Sequence, residues 1–219
     1  MNTEHTRHSL AHLLGAAVMK LYPDAKLTLG PAIEDGFYYD VAFVKNISSD
    51  DLQKIEDKMR EILPSWKTVS HKEVTKEEAL EYYKGNEFKT ELINEISEKG
   101  EKITLYNMGD FTDLCRGGHT DDLSTIDPQS FKLDRVAGAY WRGSEKNPML
   151  TRIYGLAFEN KVKLDEFLHM REEAEKRDHR KIGQEQKLFF VDDMIGKGLI
   201  MWQPNGTIIR DEVEKLAKE

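Results

Sequence analysis

One heptapeptide contains the only cysteine of the 219-residue chain: Asp113-Leu114-Cys115-Arg116-Gly117-Gly118-His119. A second segment, His8-Ser9-Leu10-Ala11-His12, places two histidines four residues apart near the amino terminus. On a helix, that spacing brings both imidazoles to the same side. Imidazole and thiolate groups bind zinc, and a neutral imidazole can also take a proton from water at neutral pH. We therefore interpret the two segments as the halves of one small hydrolytic pocket.

The amino-terminal segment predicts a helix from about Glu4 to Leu21 that other parts of the chain cover on both sides. Its apolar stripe consists of Leu10, Leu13, Leu14, Ala17, Val18 and Leu21. The opposite side holds histidines and small residues instead of charges: His8, His12, Gly15 and Met19. A narrow polar edge remains at Ser9, Ala16 and Lys20. Because a surface helix normally carries charges opposite its apolar stripe, we expect the two histidines to face the interior or a cleft.

Composition restricts the class of protein. Hydrophobic residues make up 39% of the chain and charged residues 33%. No apolar run approaches the roughly 18 residues that a membrane helix needs, so we expect a soluble protein without a membrane partner. The polar amino terminus does not resemble a signal peptide, and a single cysteine favours the reducing cytoplasm. The formal net charge of -8 repels nucleic acid in bulk, so an RNA contact requires a local basic patch.

The order of predicted helices and strands indicates an α+β domain over residues 1–158, with a mixed or antiparallel sheet packed by helices. Its predicted strands include Gly36–Phe43, Phe131–Trp141 and Met149–Phe158. Residues 159–187 are dominated by charges and predict a long, solvated linker helix. Residues 188–219 regain apolar content but are too few to build a core alone, so we expect them to begin a further domain.

The residues alone leave the chemistry of the predicted pocket open. His8, His12, Cys115 and His119 are either metal ligands or satisfied core histidines beside a small buried thiol. A nucleophilic role for Cys115 is a further alternative, although nothing in the sequence indicates a lowered thiol pKa. Lys89 begins a predicted helix and is either solvated or holds a carboxylate, a phosphate or water. The pair Gly117-Gly118 either directs N–H groups at an oxyanion or forms an ordinary turn.

Basic residues with aromatic residues between them fall in the predicted hairpin. They are Lys132, Arg135, Arg142, Lys146 and Arg152, together with Tyr140 and Trp141. This interleaving can hold RNA phosphates and stack on a base, and a charged hairpin with an aromatic core face is the alternative. Earlier in the chain, Tyr38 and Tyr39 alternate sides of a strand, so we expect one to face the core and the other a cleft.

Several segments resemble the threonyl-tRNA synthetase family, in the same order and over essentially the whole chain. They are His8-Ser9-Leu10-Ala11-His12-Leu13-Leu14, Gly30–Asp40, Asp113–His119, Tyr140-Trp141-Arg142-Gly143 and Met149–Gly155. The first and third also resemble alanyl-tRNA synthetases and their free-standing editing relatives. The last two are particular to the threonyl family. Gly198–Gly206 is similar to the entrance of that family's class II aminoacylation domain.

The resemblance implies that residues 1–158 form an editing domain, which hydrolyses serine wrongly attached to threonine tRNA. The implied pocket consists of His8, His12, Tyr39, Lys89, Asp113, Cys115 and His119. We expect His8 or Lys89 to position the water. We expect His119, with Asp113 nearby, to orient the ester or the terminal ribose. Cys115, His12 and Tyr39 would then shape the substrate pocket.

The resemblance also implies cofactors and partners. We expect no cofactor for editing, although the alanyl relatives hold zinc with the residues that match His8, His12, Cys115 and His119. The expected partner is the 3′ end of threonine tRNA carrying serine, and the expected contacts are Lys132, Arg135, Arg142 and Arg152. We expect this chain to be a monomer without aminoacylation activity, whereas full-length family members bind ATP and are homodimers. An alanyl-tRNA-type deacylase, or a zinc- or RNA-binding module without turnover, remains an alternative.

Overall fold

The computed structural model describes residues 3–218, which divide into two units between Leu164 and Asp165. The helices that begin in the first unit are α1 (Thr3–Leu21), α2 (Leu52–Ile62), α3 (Lys76–Tyr82), α4 (Glu87–Glu98) and α5 (Lys161–Lys176). Its strands are β1 (Lys26–Leu27), β2 (Ala32–Ile33), β3 (Gly36–Ala42), β4 (Val69–Val74), β5 (Ile103–Met108), β6 (Phe111–Leu114), β7 (Phe131–Tyr140) and β8 (Met149–Ala157).

Two antiparallel sheets form the first unit, in agreement with the predicted α+β class. The larger sheet has the order β1-β3-β8-β7, and β2 also pairs with β3. The smaller sheet has the order β4-β5-β6. On β3, the side chains of Phe37, Tyr39 and Val41 are fully buried, and the alternate side chains point to the other face of the sheet.

The first helix lies inside the unit, as the lack of charge between its ends predicts. Every residue from Ser9 to Val18 is buried, because α2 packs on one side of α1 and the larger sheet packs on another. The predicted polar edge is therefore wrong at Ser9 and Ala16, which are 1% and 2% exposed. Only Lys20 of that edge reaches solvent, where it pairs with Asp110.

The second unit contains the rest of α5, α6 (His179–Glu185), a hairpin of β9 (Phe189–Val191) and β10 (Ile200–Trp202), and α7 (Pro204–Lys218). The charged linker predicted over residues 159–187 is not one helix. The backbone of Asp178 is extended, and its side chain accepts a hydrogen bond from the N–H of Arg180, which caps a new helix. Glu219, the last residue of the predicted third segment, lies outside the described residues.

Among residues 3–218, no helix combines the length and apolar character that crossing a bilayer requires. The longest helix is α1, and histidines and other polar residues interrupt its apolar positions. Its burial therefore depends on the fold of the first unit.

Candidate functional site

Four elements and one loop of the first unit converge on a single pocket. Helix α1 supplies His8 and His12, β3 supplies Tyr39, α4 supplies Lys89 and β6 supplies Asp113. The loop after β6 supplies Cys115 and His119. Six of these residues line a cavity of about 390 Å³, and His119 lies behind Cys115 rather than on the cavity wall. The structure thus brings together the two segments that the sequence analysis interpreted as one site.

The three imidazoles and the thiol meet at short distances. The Nε2 atoms of His8 and His12 are 3.3 Å apart. The Sγ atom of Cys115 lies 3.5 Å from Nε2 of His8 and 3.2 Å from Nε2 of His119. The ring of His119 also stacks on that of His8, with 4.3 Å between the centroids. These contacts make the quartet one cluster, in which each member touches at least one other.

A tight turn places Cys115 and His119 side by side. Gly117 and Gly118 both have positive φ, at 100° and 86°, a conformation that side chains with a Cβ rarely adopt. The N–H of Gly117 points at the Cys115 sulfur, 3.3 Å away, and the carbonyl of Gly118 accepts from Nδ1 of His8 at 3.3 Å. The turn therefore contacts and positions the Cys115 thiol and the His8 imidazole. Its Gly117 N–H is directed at the sulfur and not at an incoming oxyanion.

Asp113 is a buried anion surrounded by donors. Its Oδ1 accepts from Nζ of Lys89, from the hydroxyl of Tyr83 at 3.2 Å and from the N–H of Leu114 at 2.8 Å. Its Oδ2 accepts from the hydroxyl of Tyr39 and lies 3.2 Å from Nδ1 of His12. The His12 contact is an ion pair without hydrogen-bond alignment, since no acceptor lies along its Nδ1–H. These five partners surround both oxygens of Asp113. We therefore infer that the carboxylate influences the pocket by positioning these neighbours rather than by contacting a substrate.

This arrangement of charges shifts the pKa of several groups. Burial alone would raise the pKa of Asp113, but the charges of Lys89 and His12 outweigh it and hold that pKa well below its usual range. Burial would lower the pKa of His12, but its close contacts with Asp113 and Cys115, and their negative charges, raise it to about 9. His12 is therefore a cation at neutral pH.

The pKa of Cys115 and the pKa of His119 are both lowered, for different reasons. Burial alone would raise the pKa of the Cys115 thiol, but hydrogen bonding to the neighbouring imidazoles, with that of His119 contributing most, lowers it to about 3. Burial and the charge of His12 lower the pKa of His119, and Cys115 opposes them. The cluster therefore holds a thiolate beside one cationic imidazole, which is the signal of reactivity that the sequence lacked.

The quartet has the donor chemistry and the spacing of a zinc site. Zinc bonds of roughly 2.0–2.3 Å place four tetrahedral donors about 3.3–3.8 Å apart. Separations of 3.2, 3.3 and 3.5 Å link the quartet, and all four donor atoms lie within 4.8 Å of one another. Nδ1 of His8 contacts the Gly118 carbonyl, and Nδ1 of His12 lies 3.2 Å from Oδ2 of Asp113, so each ring has an oxygen beside the nitrogen that would not bind the metal. His8, His12, Cys115 and His119 therefore fit a zinc ion.

The outer part of the pocket is mostly apolar. Leu29, Pro31, Leu92 and Ile96 line it. The charged residues Glu95, Lys99 and Arg116 also contribute to the lining. A narrow apolar cleft with polar groups at its inner end is typical of a small-molecule site.

The expected tRNA contacts have different environments. Lys132 and Arg135 are exposed on β7. Arg152 forms a bidentate ion pair with Asp40, with N–O distances of 2.7 and 2.8 Å. Arg142 binds Glu91 and Glu95 of α4, and its own φ of 54° is unusual for a residue with a side chain. Lys132 and Arg135 are thus freer to contact a phosphate than the other two arginines.

Two residues of the site were missed in the sequence. Tyr83, at the end of α3, binds Asp113, and its ring faces the Lys89 ammonium at 5.6 Å. Ser9 joins the halves of the site, because its hydroxyl donates to the His5 carbonyl at 3.0 Å and accepts from the Thr120 N–H at 3.2 Å. Ser9 sits inside the histidine motif, but no sequence pattern marks Tyr83, whose neighbour Tyr82 is also a tyrosine.

Comparison with known proteins agrees with the site. Residues 103–154, which include Asp113, Cys115 and His119, match the family described as the threonyl and alanyl tRNA synthetase second additional domain. The chain is 47% identical to a threonine–tRNA ligase of Borreliella burgdorferi (strain ZS7) over 213 residues. It is 48% and 49% identical to the ligases of Borrelia turicatae and Borrelia hermsii. Each match covers 97% of this chain and 36% of the relative.

These matches run through both segments of the pocket, whereas the family model alone covers only the second. The chain spans about a third of the length of the ligases that it matches. Residues 103–154 are therefore similar to the second additional domain of threonyl and alanyl tRNA synthetases, and the chain as a whole is similar to part of a threonine–tRNA ligase.

Proposed function

We propose that this chain hydrolyses the ester of serine wrongly attached to threonine tRNA, releasing serine and tRNA. The observation that carries the proposal is the convergence of His8, His12 and Cys115 at the inner end of a pocket of about 390 Å³. The match of residues 103–154 to the second additional domain of threonyl and alanyl tRNA synthetases supports a role on aminoacyl-tRNA. The threonine–tRNA ligases that the chain resembles indicate which tRNA to test.

The need for such a site follows from the size of a methyl group. Serine and threonine differ by one methyl, which a binding pocket distinguishes by only about 1–3 kcal/mol. A second, smaller site that admits serine and excludes the extra methyl removes the errors that the first site makes. In this proposal the apolar cleft between Pro31 and Leu92 receives the terminal adenosine, and the quartet receives the seryl group.

The proposed mechanism assigns the water to His8. His8 is partly exposed at the pocket, so its imidazole can accept a proton from water as the water attacks the ester carbonyl. Lys89 is committed to Asp113 and acts as a positioning residue, which keeps Asp113 ionised beside His12. His12, Tyr39 and Cys115 shape the inner wall. His119 supports Cys115 and His8 from behind.

We propose that the reaction runs without a metal. This proposal rests on the resemblance to the threonyl family. Zinc binding would displace the His12 proton, so zinc binding should weaken as pH falls. If zinc is bound, His8, His12, Cys115 and His119 would hold it, and it would lower the pKa of a bound water. Metal analysis of the purified protein, with deacylation measured before and after chelation, separates the two cases. Activity without metal is the expected result, and loss on chelation with recovery on zinc addition contradicts it.

The spacing of the quartet also favours a second candidate, a zinc-binding module without turnover. Stoichiometric zinc with no hydrolysis of any ester, unchanged by His8→Ala or Lys89→Ala, would support that candidate. An alanyl-type deacylase is the third possibility. It differs from the proposal only in the amino acid that the pocket accepts, so a set of esters distinguishes the two.

The decisive experiment measures deacylation of threonine tRNA that carries either serine or threonine. Ala-tRNA is the third substrate. We expect the chain to hydrolyse the seryl ester well above the spontaneous rate and to spare the threonyl ester. Equal loss of both, or loss of neither above the spontaneous rate, contradicts the proposal. Faster hydrolysis of Ala-tRNA would favour the alanyl alternative. We further propose that the chain acts as a monomer in the cytoplasm, where its free cysteine stays reduced.

A further inference from the structure

The outer face of the larger sheet carries arginine and tyrosine side chains in register. Tyr38 on β3 pairs with Tyr154 on β8, and Tyr154 pairs in turn with Arg135 on β7. Two residues further along β3, on the same face, Asp40 pairs with Arg152. Because side chains alternate along a strand, these groups lie on the face opposite the buried side chains of β3.

These side chains stack into a continuous row, which we call the arginine–tyrosine ladder: Arg135, Tyr154, Tyr38 and Arg152. The Arg135 guanidinium lies 4.1 Å from the centre of the Tyr154 ring, and the Arg152 guanidinium lies 3.9 Å from that of Tyr38. The two tyrosine rings are 5.8 Å apart. Asp40 holds Arg152 in place with two hydrogen bonds, so one end of the ladder is fixed before any ligand binds.

The ladder reaches the pocket of the proposed active site. Tyr38 lines the pocket rim, and its backbone N–H donates to the carbonyl of Pro31, which lies on the pocket wall. A chain that leaves the pocket past Tyr38 can therefore continue across β8 to β7. Neighbouring strands are about 4.8 Å apart, so this path is on the order of 10 Å long, enough for about two stacked nucleotides.

The chemistry of the ladder fits unpaired RNA. Tyrosine rings and guanidinium planes stack on bases, and exposed cations bind phosphates. Asp40 neutralises Arg152, which suits that arginine to stacking. The Arg135 side chain is 58% exposed and contacts only its neighbour Asp134 by ion pairing, and Lys132 is exposed on the same strand. In a chain with a net charge of -8, this local excess of accessible cations is placed where a polyanion would leave the pocket.

We propose that the arginine–tyrosine ladder binds the unpaired nucleotides that precede the aminoacylated 3′ nucleotide of the tRNA. A base stacks on the Arg135 guanidinium, whose other face lies on the Tyr154 ring, and the edge of Arg135 and the ammonium of Lys132 contact the phosphates. This proposal rests on the proposed function, because it takes the pocket as the site of the terminal ester. It adds a second subsite, which recognises RNA by stacking and charge rather than by base identity.

The test compares two substrates that differ only in the proposed contacts. One is Ser-tRNA, and the other is the serine ester of adenosine, which lacks all preceding nucleotides. For Tyr154→Ala we expect the KM for Ser-tRNA to rise between about 5-fold and 150-fold, the range for loss of one base stack, with kcat unchanged. For Arg135→Gln we expect a higher KM and a salt dependence that is weaker by about one charge. Neither variant should change hydrolysis of the adenosine ester, which excludes misfolding as the cause.

Tyr140→Ala is the matched control. Tyr140 is an exposed tyrosine at the far end of β7, the strand that carries Arg135. It is 43% accessible and lies outside the ladder. An unchanged KM for Ser-tRNA in Tyr154→Ala and Arg135→Gln, an equal rise in Tyr140→Ala, or a parallel loss on both substrates overturns the proposal.

A separate measurement keeps the proposal testable if the wild-type chain hydrolyses neither ester. In that case the proposed function has failed, and the ladder is tested by binding of an uncharged tRNA with an intact CCA end. Weaker binding by Tyr154→Ala and Arg135→Gln than by the wild type and Tyr140→Ala supports the RNA contact. Equal binding by all four proteins rejects it.

Discussion

Lys89 and Asp113 form an ion pair in which neither side chain is more than 3% exposed to solvent. The Nζ and Oδ1 atoms are 2.5 Å apart, and Asp113 connects this pair to His12 on α1 and Tyr39 on β3. One buried carboxylate therefore joins three elements that are far apart in the sequence. Because removing one partner leaves an uncompensated buried charge, the pair couples the stability of the fold to the geometry of the site.

Replacing Lys89 should destabilise the protein strongly. For Lys89→Met we expect the free energy of unfolding to fall by about 3–5 kcal/mol, since Asp113 loses its cationic partner in a dry environment. Chemical denaturation measures the change. The control is Lys26→Met, which breaks the exposed pair with Glu87 and should cost less than about 1 kcal/mol. Similar losses of unfolding free energy in the two variants would show that the buried pair stabilises the protein no more than an exposed pair does.

Tyr83 should support the site through one hydroxyl. In Tyr83→Phe we expect a loss of about 1.5–3 kcal/mol in the free energy of unfolding, the range for a hydrogen bond to a charged group. We also expect slower deacylation, because Asp113 loses one of its hydrogen-bond donors while the ring contact with Lys89 is kept. Tyr82→Phe is the neighbouring control, since Tyr82 is 55% exposed. If Tyr83→Phe changed neither the free energy of unfolding nor the deacylation rate, Tyr83 would not support the site.

Stability should depend on pH through His12 in the metal-free protein. Its folded pKa of about 9 lies above the unfolded value of about 6.5, so the protonated form is favoured by folding. The resulting stabilisation is complete below about pH 6.5 and is lost as pH rises through 9. The low pKa of Cys115 acts in the opposite direction over this interval, because folding favours its thiolate. Denaturation between pH 6 and pH 10 in a Cys115→Ser background should therefore show a fall in stability that is absent once His12→Gln is added. Parallel curves would mean that Asp113 does not hold the His12 proton.

His8 should control the chemical step. We expect His8→Ala to lower kcat at least about 100-fold, because a general base contributes about 10²–10⁴ to the rate, and to leave KM for Ser-tRNA nearly unchanged. His5→Ala is the control, since His5 lies on the same helix but not on the pocket wall. A wild-type kcat in His8→Ala would show that another group positions and activates the water.

Periodicity and composition were enough to predict most elements of the first unit. The charge-free stretch of α1 predicted its burial, and strand-like segments bounded by turn residues predicted β3, β7 and β8 to within one residue. The chemistry of the His8-to-His12 and Cys115-to-His119 segments, together with the family resemblance, predicted that they meet. The break at Asp178 was missed because the charge pattern continues across it, and capping depends on local backbone conformation that composition does not specify.

Long-range pairings could not be read from the sequence in the same way. The ion pair of Arg152 with Asp40 depends on the register of β3 against β8, which a shift of one residue would abolish. The contact of Tyr83 with Asp113 depends on how the end of α3 packs against β6. Neither relationship leaves a spacing or a motif, so Arg152 was expected to be a tRNA contact and Tyr83 was not considered.

The central claim is that the amino-terminal histidines and the Cys115-to-His119 turn form one pocket for a seryl ester. A crystal structure with a non-hydrolysable seryl-adenosine analogue tests it most directly. We predict that the adenosine lies between Pro31 and Leu92, with the seryl carbonyl and a water within hydrogen-bond distance of His8. An analogue bound elsewhere, or a seryl group that contacts none of His8, His12 and Cys115, would contradict the claim.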